Sequence, residues 1–356
     1  MSLKIKFNSV SNDTFFNDIN SFYIKKIPFV AYRKKNSDFV RCIKDDNPKK
    51  LNSINDVLNG FLFMPFDKNE NGYKLGLENS FSTKLKLKPI PNLIYPSIKN
   101  LIKYERQKKR YLNSVSIIKK NLGLNFSKVV FTNIFDLEKG KKNPIRCFRN
   151  LLSLHLDALC YLFFHPDEGC WLGASPETLI NLDGSNLKTV ALAGTKRPEC
   201  EDWSQKEYTE QKIVEKYILD KLNPLCKQIK ITKPETIKAG SIEHLKSTIT
   251  AITKCSPSKL IDLIHPTPAV CGSPFKRAVK EIKEVEKHSR SFYTGYLGLL
   301  NGSDCETYVN LRCARIKDDG KTTLYAGGGI TIDSIAESEW NEIVSKAETI
   351  LKIFSN

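Results

Sequence analysis

The sequence predicts a mixed α/β protein in which strands and long helices share one chain, and three stretches carry that expectation. Thr178–Leu182 and Leu187–Leu192 are apolar runs separated by Asp183-Gly184, a strong hairpin signal. Between Ser204 and Leu222 the apolar residues Ile213, Val214, Tyr217, Ile218 and Leu222 recur with helical period. In residues 326–346 a short apolar strand gives way to Gly327, Gly328 and Gly329 and then to an acidic helix. Three glycines remove the Cβ atoms that would hold a ligand away from backbone amides. On the helix, Glu339, Glu342 and Lys346 stand at i, i+3 and i+7 and project from one face. Trp340, Ile343, Val344 and Ala347 supply its buried side. The charged stripe is either the border of a site or a solvated face.

With 356 residues the chain is long enough for one large or two ordinary domains. Its 40% hydrophobic and 10% aromatic content belongs to a globular protein. No apolar run reaches the roughly 20 residues of a membrane span, and the N-terminus lacks the apolar core of an export signal. The expected location is the cytoplasm, without membrane attachment. A net charge of +17 admits nucleic acid, an anionic surface or an anionic substrate as partner. Lysines spread along the whole chain among many Asn and Ile residues point instead to compositional bias. The ten cysteines form no C-x-x-C pair and no zinc-spaced cluster, so reduced and mostly buried thiols are expected.

Residues 1–100 read as a mixed region without evident chemistry. Lys26–Tyr32 and Gly60–Phe66 are short buried strands bounded by Pro and Gly, with loops at Lys34–Asn36 and Asp67–Gly72. A helix follows over about 97–120, with Tyr111, Val115 and Ile118 at helical spacing and a solvated charged face. Phe126–Phe131 is a strand with Lys128 at its entrance, a position that is usually on the surface. A helix from Pro144 leads to apolar Ala158–Phe164, and Gly169–Glu177 is a strand running into a turn. Ala191–Thr195 ends in small residues, which suit a close ligand or a tight turn equally. On the Ser204–Leu222 helix, Glu207 and Glu210 make a second i, i+3 acidic pair, followed by Gln211. Two such pairs would suit one divalent cation if they met, because hard metals take few carboxylates plus water and substrate. Glu243–Ile252 is strand-like, Ser256-Pro-Ser258 caps a short helix, and His265–Val270 is stiffened by two prolines. Phe275–Ser289 is a charged helix, and Phe292–Leu300 a strand turning at Asn301-Gly302. Tyr308–Arg315 reads as one strand with Tyr308, Asn310, Arg312 and Ala314 on a common face. No repeat or low-complexity segment occurs, and no linker follows residue 126.

Taken in order, these pieces resemble the chorismate-utilising enzymes, and among them the isochorismate synthases, relatives of anthranilate synthase component I. The matching residues are Lys128-Val-Val, Gly173–Glu177, Ala191–Thr195, Lys206–Gln211, His265–Val270, Glu286 with Arg290, Tyr293, Gly295, Arg312, and Ala326 through Lys346. The resemblance covers roughly residues 100–353. It implies that 1–100 is a variable part of the same fold and 101–356 the chorismate-binding catalytic region. It also implies two large antiparallel-rich β-sheets packed face to face, with helices on the outside.

By that resemblance, Lys128 is the general base that activates water for attack at C2 of chorismate. A lysine serves so only where burial or neighbouring positive charge favours its neutral form. Glu177 is the general acid that protonates the departing C4 hydroxyl, which calls for a raised pKa. Glu210 and Glu342 match direct Mg²⁺ ligands, with Glu207 and Glu339 placed to hold metal-bound waters. The cation would bind the ring carboxylate of chorismate, cradled also by Lys346 and the amides of Gly327, Gly328 and Gly329. Arg312 would take the carboxylate of the enolpyruvyl side chain with its planar fork. Tyr293 and His244 match positions that contact substrate, and Gly194, Thr195 and Ala269 belong to the same substrate-binding set.

Ala193 stands where aminodeoxychorismate synthases place a nucleophilic lysine. Ala269 stands where anthranilate and salicylate synthases tend to carry threonine. Both favour water as nucleophile and isochorismate as product. The expected enzyme is an Mg²⁺-dependent isomerase for chorismate, supplying menaquinone synthesis. It would act as a monomer without a glutaminase partner, nucleic acid or membrane. The alternatives are a siderophore-pathway isochorismate synthase and a salicylate synthase that also releases pyruvate. From another class comes a basic nucleic-acid-binding protein, although clustered lysines with interleaved aromatics are lacking. Gln211, Asn133, Cys271 and Ser291 depart from the family pattern, where His, Arg, Gly and Gly are common. They bear on affinity and loop geometry, not on reaction type.

Overall fold

Alternation along single strands sets the layers. In the computed structural model, which describes residues 5–55, 57–85, 97–101, 103–123, 126–138, 140, 142–196, 198–199, 202–240 and 242–355, neighbouring residues of one strand enter different apolar clusters. Val30 and Tyr32 of the strand Phe29–Arg33 join one cluster, Phe29 and Ala31 another. Phe61 and Phe63 of Asn59–Met64 join Val30 and Tyr32, while Leu62 and Met64 face the opposite way. Phe63 stacks on Phe163 at 4.2 Å, and these rings belong to different sheets. The two sheets therefore pack face to face over a shared aromatic interior, as the resemblance implied.

Among the described residues the first sheet has ten strands, in the order Asn8–Ser9, Asn79–Lys84, Phe39–Lys44, Phe29–Arg33, Leu159–His165, Gly169–Ser175, Cys313–Ile316, Thr322–Ile330, Lys128–Leu137 and Gly272–Ser273. The second runs Cys226–Ile231, Ile242–Thr253, Asn186–Lys196, Thr178–Asp183, Asp304–Val309, Tyr296–Asn301, Asn59–Met64, Gly72–Leu75 and Lys49–Leu51, with Glu235–Ala239 also on Ile242–Thr253. Asn8–Ser9 joins as a parallel edge, and the central ladders are antiparallel. Helices Asn12–Ile24, Tyr104–Asn121, Pro144–Leu154, Phe275–Val285 and Ala336–Leu351 bury their apolar stripes on the outer face of the first sheet. Gln205–Leu222 and Pro257–Ile264 cover the second. No helix among the described residues is long and apolar enough to cross a membrane. The nine described cysteines are all free of disulfides, and Cys200 lies outside the described residues.

Several elements differ from the sequence expectation. Helix Asn12–Ile24 was not anticipated, although Ser11 caps it by accepting from Thr14 N–H at 3.1 Å and Phe15 and Ile19 share its buried face. The helix expected from 97 begins at Tyr104, after a separate turn at Ile98–Asn100. The strand expected over Phe126–Phe131 begins at Lys128 and continues to Leu137. The helix from Phe275 stops at Val285, and the strand expected from Phe292 starts at Tyr296.

The largest difference concerns Tyr308–Arg315. Asp304–Val309 belongs to the second sheet and Cys313–Ile316 to the first, so the chain changes sheets between them. Arg312 turns this corner in the left-handed region at φ +49°. Asn310 replaces the lost ladder, accepting from the Tyr161 hydroxyl at 2.6 Å and donating to Phe292 O at 2.8 Å. Alternation cannot carry through such a corner, and Arg312 shares no strand face with Tyr308. A second corner, at Pro176 and Glu177, links Gly169–Ser175 to Thr178–Asp183 in the other sheet. The two corners lie together. Val309 N–H donates to Glu177 O at 3.0 Å, and Ala174 N–H to Arg312 O at 3.1 Å.

Candidate active site

Strand Thr322–Ile330 outruns its neighbour on one side. Cys313–Ile316 pairs with it as far as Ala314 opposite Leu324, whereas Lys128–Leu137 accompanies it to Ile330. Beside the uncovered stretch lies a cavity of about 640 Å³, counting its open mouth. The corner residues Glu177 and Arg312 line it, together with Val130, Leu192, Ala193, Gly194, Thr195, Glu210, His244, Ala269, Tyr293, Thr294, Leu311, Tyr325, Gly327, Gly329 and Lys346.

Glu177 is 3% exposed, and burial pushes its carboxyl up to about 8 against the pull of Lys128 and Lys346. It is therefore mostly protonated at neutral pH. Lys128, expected at a strand entrance where lysines are usually exposed, is instead completely buried. Its Nζ lies 2.9 Å from Glu210 Oε1, a contact off the ideal hydrogen-bond angle that leaves Nζ incompletely satisfied. A buried donor left open in this way favours an oxygen brought by a ligand or water.

Arg312 spends Nη2 on His244 Nε2 at 2.8 Å and leaves buried Nη1 without a partner. Burial lowers its pKa to about 10, so it stays charged. His244 has Nδ1 3.0 Å from Gly194 O and 3.2 Å from Thr195 Oγ1. Burial, then Arg312 and Lys346, hold its pKa well below the ordinary value. The neutral ring thus donates from Nδ1 and accepts the guanidinium N–H at Nε2. With both nitrogens occupied, His244 aims Arg312 into the cavity and offers no free polar atom of its own. Tyr293 lies alongside, stacked on Tyr325 at 5.5 Å.

The glycine run divides its work. Thr132 N–H goes to Glu286 Oε1 at 2.8 Å and Val130 N–H to Cys271 O at 2.9 Å. Their partners Gly327 and Gly329 therefore form non-hydrogen-bonded pairs whose amides turn away from that strand. Gly327 O accepts from Lys346 Nζ at 2.9 Å on that side. Alternation puts the Gly328 amide into the ladder, so two glycines, not three, offer amides to the cavity. Gly329 also makes room: a Cβ there would sit 2.5 Å from Glu210 Oε1 and 2.7 Å from Lys128 Cε. Gly194, at φ +74°, admits helix Gln205–Leu222, since a Cβ would lie 3.0 Å from Glu207 Cβ.

The two acidic helices meet. A Cβ on Gly328 would stand 3.3 Å from Glu339 Oε2 and 3.6 Å from Glu342 Oε1, so both carboxylates face one spot above the sheet. Lys206 Nζ reaches across from the other helix to Glu339 Oε1 at 2.6 Å. Glu342 and Glu210 also raise the Lys206 pKa, after Glu339, against the effect of burial. Lys346 holds Glu342 Oε1 at 2.5 Å. Burial opposes the charge on Glu210, but Lys128, Lys206 and Lys346 together hold its pKa below the ordinary value. Glu207 closes a capping box with Ser204, whose N–H donates to Oε2 at 3.1 Å, and still faces the outer pocket shared by Glu339 and Glu342.

Among the described residues no three His, Cys, Asp or Glu side chains already converge as a metal-holding group, and lysines hold Glu339 and Glu342. The donor set nonetheless suits a hard divalent cation. Glu339 Oε2 is buried without a partner in hydrogen-bond geometry, and burial followed by the Glu342 charge raises Glu339 well above the usual carboxylate range. Lys206 offsets only part of the effect of burial and of the Glu342 charge. Lys206 is the residue sequence reasoning left without a role. Its spacing to Glu210, i to i+4, was the available signal.

Residues 79–355 match the family described as chorismate binding enzyme. The chain belongs to that family. It is 32% identical over 237 residues to isochorismate synthase MenF of Pasteurella multocida (strain Pm70), covering 58% of this chain and 55% of that protein. It is 33% identical over 198 residues to isochorismate synthase DhbC of Bacillus subtilis (strain 168), covering 51% and 49%. The chain thus spans about half the length of these curated relatives. The structure of MenF, the menaquinone-specific isochorismate synthase from Escherichia coli, superposes with a TM-score of 0.75 at 21% identity, covering 92% of this chain and 89% of that one. This likeness shows that the chorismate-binding fold is shared.

Proposed function

We propose that the protein is an isochorismate synthase, an isomerase that converts chorismate to isochorismate. One observation carries the reading: a buried carboxyl held in its protonated form, Glu177, and the unpaired Nη1 of Arg312 share one cavity, whose lining residues Glu210 and Gly329 stand directly against the buried Lys128. Carboxyl and amine on one small dianion-sized cavity supply the acid and base of a substitution at two ring carbons. In this reading Lys128 enters the step as its neutral amine and takes a proton from a water molecule as the water oxygen bonds to C2. The two ring double bonds each shift by one position. The C4–O bond breaks, and Glu177 gives its proton to the departing hydroxyl, which leaves as water. Composition is unchanged, and each step balances.

Arg312, fixed by His244, orients the enolpyruvyl carboxylate with its free Nη1. Lys346 and the outward amides of Gly327 and Gly329 hold the ring carboxylate, with Gly194, Thr195 and Tyr293 bounding the substrate. Mg²⁺ is the proposed cofactor, carried by Glu210 and Glu342 directly and by Glu207 and Glu339 through water. When bound it would neutralise the ring carboxylate and draw charge from the ring. Lys206 must give up Glu339 to admit it. Ala193 and Ala269 keep the cavity free of a competing nucleophile and favour release of isochorismate. Relatives named MenF support menaquinone supply, and the relative named DhbC makes a siderophore pathway the second reading. We place the chain in the cytoplasm as a monomer, with 1–100 as part of the same fold and 101–356 as the catalytic region.

The test is turnover of chorismate by Lys128→Ala and Glu177→Gln, each checked for folding by circular dichroism. Both lose turnover by about a thousandfold or more. Full activity in either folded variant removes that residue from the mechanism.

A further inference from the structure

A second concavity, about 820 Å³ counting open space, lies outside the candidate active site, where helix Tyr104–Asn121 meets the later part of strand Lys128–Leu137. Arg106, Gln107 and Arg110 stand at i, i+1 and i+4 on the helix face that lines it, and Lys103 joins them from the residue just before the helix. Lys287 adds a fourth cation from beyond helix Phe275–Val285. None of the four has a carboxylate within ion-pair distance among the described residues; Lys287 Nζ donates to Glu284 O at 2.9 Å. The single lining carboxylate, Asp136, is already held by Lys321 at 3.2 Å and Thr323 Oγ1 at 2.7 Å. Like charges at these helical spacings repel and weaken a helix, so the face carries a repulsion that a bound anion would remove.

The floor is built, not merely charged. Gln107 Nε2 donates to Ile134 O at 3.1 Å, which fixes the helix to the strand. His288 Nε2 sits 2.9 Å from Thr132 Oγ1. Behind it, Glu286 takes Thr132 N–H and the guanidinium of Arg290, which in turn donates to Val130 O and Val270 O at 2.7 Å each. We propose that this pocket binds a phosphate group, as free phosphate or on a small phosphorylated metabolite. Two guanidinium forks and two ammonium groups match the several oxygens and double charge of a phosphate, where a single carboxylate would satisfy only one of them.

The full chain is titrated calorimetrically with inorganic phosphate and, separately, with ADP, at constant ionic strength. The site predicts saturable binding at one equivalent. Tighter binding of ADP identifies a phosphorylated metabolite as the occupant, and equal affinity identifies free phosphate. R106E/R110E weakens binding by about tenfold or more, since it removes charge-assisted hydrogen bonds. K227E/K230E makes the same change of net charge on the exposed strand Cys226–Ile231 and leaves affinity within about twofold. R312Q leaves it unchanged. Should R106E/R110E fail to fold, R106Q/R110Q takes its place with the same expectation. Binding that does not saturate, an equal loss in K227E/K230E, or a loss in R312Q overturns the proposal.

Discussion

Replacing Glu177 by Gln asks whether the proposed acid is protonated, independently of catalysis. Glutamine keeps the shape of the protonated carboxyl and cannot ionise. In the folded protein burial lifts the Glu177 pKa from 4.5 to about 8. The native state therefore keeps a proton that the unfolded chain has lost, and wild-type stability falls as pH rises from about 4.5 to about 8, then levels off. At about 1.4 kcal/mol for each pH unit crossed, the ceiling is about 5 kcal/mol. Water in the cavity mouth reduces this, and about 2–5 kcal/mol is expected. For 356 residues, at about 2.1 cal/mol/K of unfolding entropy each, that corresponds to about 3–7 °C in Tm. Melting curves of wild type and Glu177→Gln are compared from pH 4 to pH 9. The variant gains on the wild type by that amount between the two ends. A Tm difference that stays flat across the range refutes the argument, because Glu177 is then ionised like any surface carboxylate.

Arg312→Gln removes the open guanidinium N–H and its charge, so KM for chorismate rises about tenfold to a hundredfold with a smaller change in kcat; an unchanged KM sinks the anchoring role. Gly329→Ala forces a Cβ to within 2.5 Å of Glu210 Oε1 and 2.7 Å of Lys128 Cε. It lowers stability by about 1–3 kcal/mol and slows turnover, and wild-type values for both show that the gap is not needed. Titration with MgCl₂ raises Tm, by about 2.7 kcal/mol of stability at a hundredfold excess over Kd. Glu342→Gln abolishes that rise, and a rise that persists in the variant places the cation elsewhere.

Much of the site was legible because helical spacing is rigid. Glu339, Glu342 and Lys346, and Glu207 with Glu210, were placed by counting, and the two faces do meet through Lys206 and Glu339. The Asp183-Gly184 hairpin was legible for the same local reason, with Leu182 opposite Leu187. Arg312 was not, because its position depends on a corner between sheets, and apolar alternation looks the same up to the residue where the chain turns. Strand-end position alone suggests a surface place for Lys128, and only the family resemblance made it the buried base. Its burial comes from strand Thr322–Ile330 and helix Gln205–Leu222, which are distant in sequence. Gly329 illustrates a further limit: a missing side chain reveals its purpose only once the atoms it would have struck, on Glu210 and Lys128, are in place.

Water addition at C2 with loss of the C4 hydroxyl leaves an isotopic signature in the product. Chorismate is incubated with the protein and Mg²⁺ in water enriched in heavy oxygen, and the products are separated and weighed by mass spectrometry. Attack by water predicts isochorismate carrying one solvent oxygen, with no pyruvate released. Isochorismate without the label would contradict attack by water. Salicylate with pyruvate would show that elimination follows and that Ala269 does not hold the reaction at isochorismate.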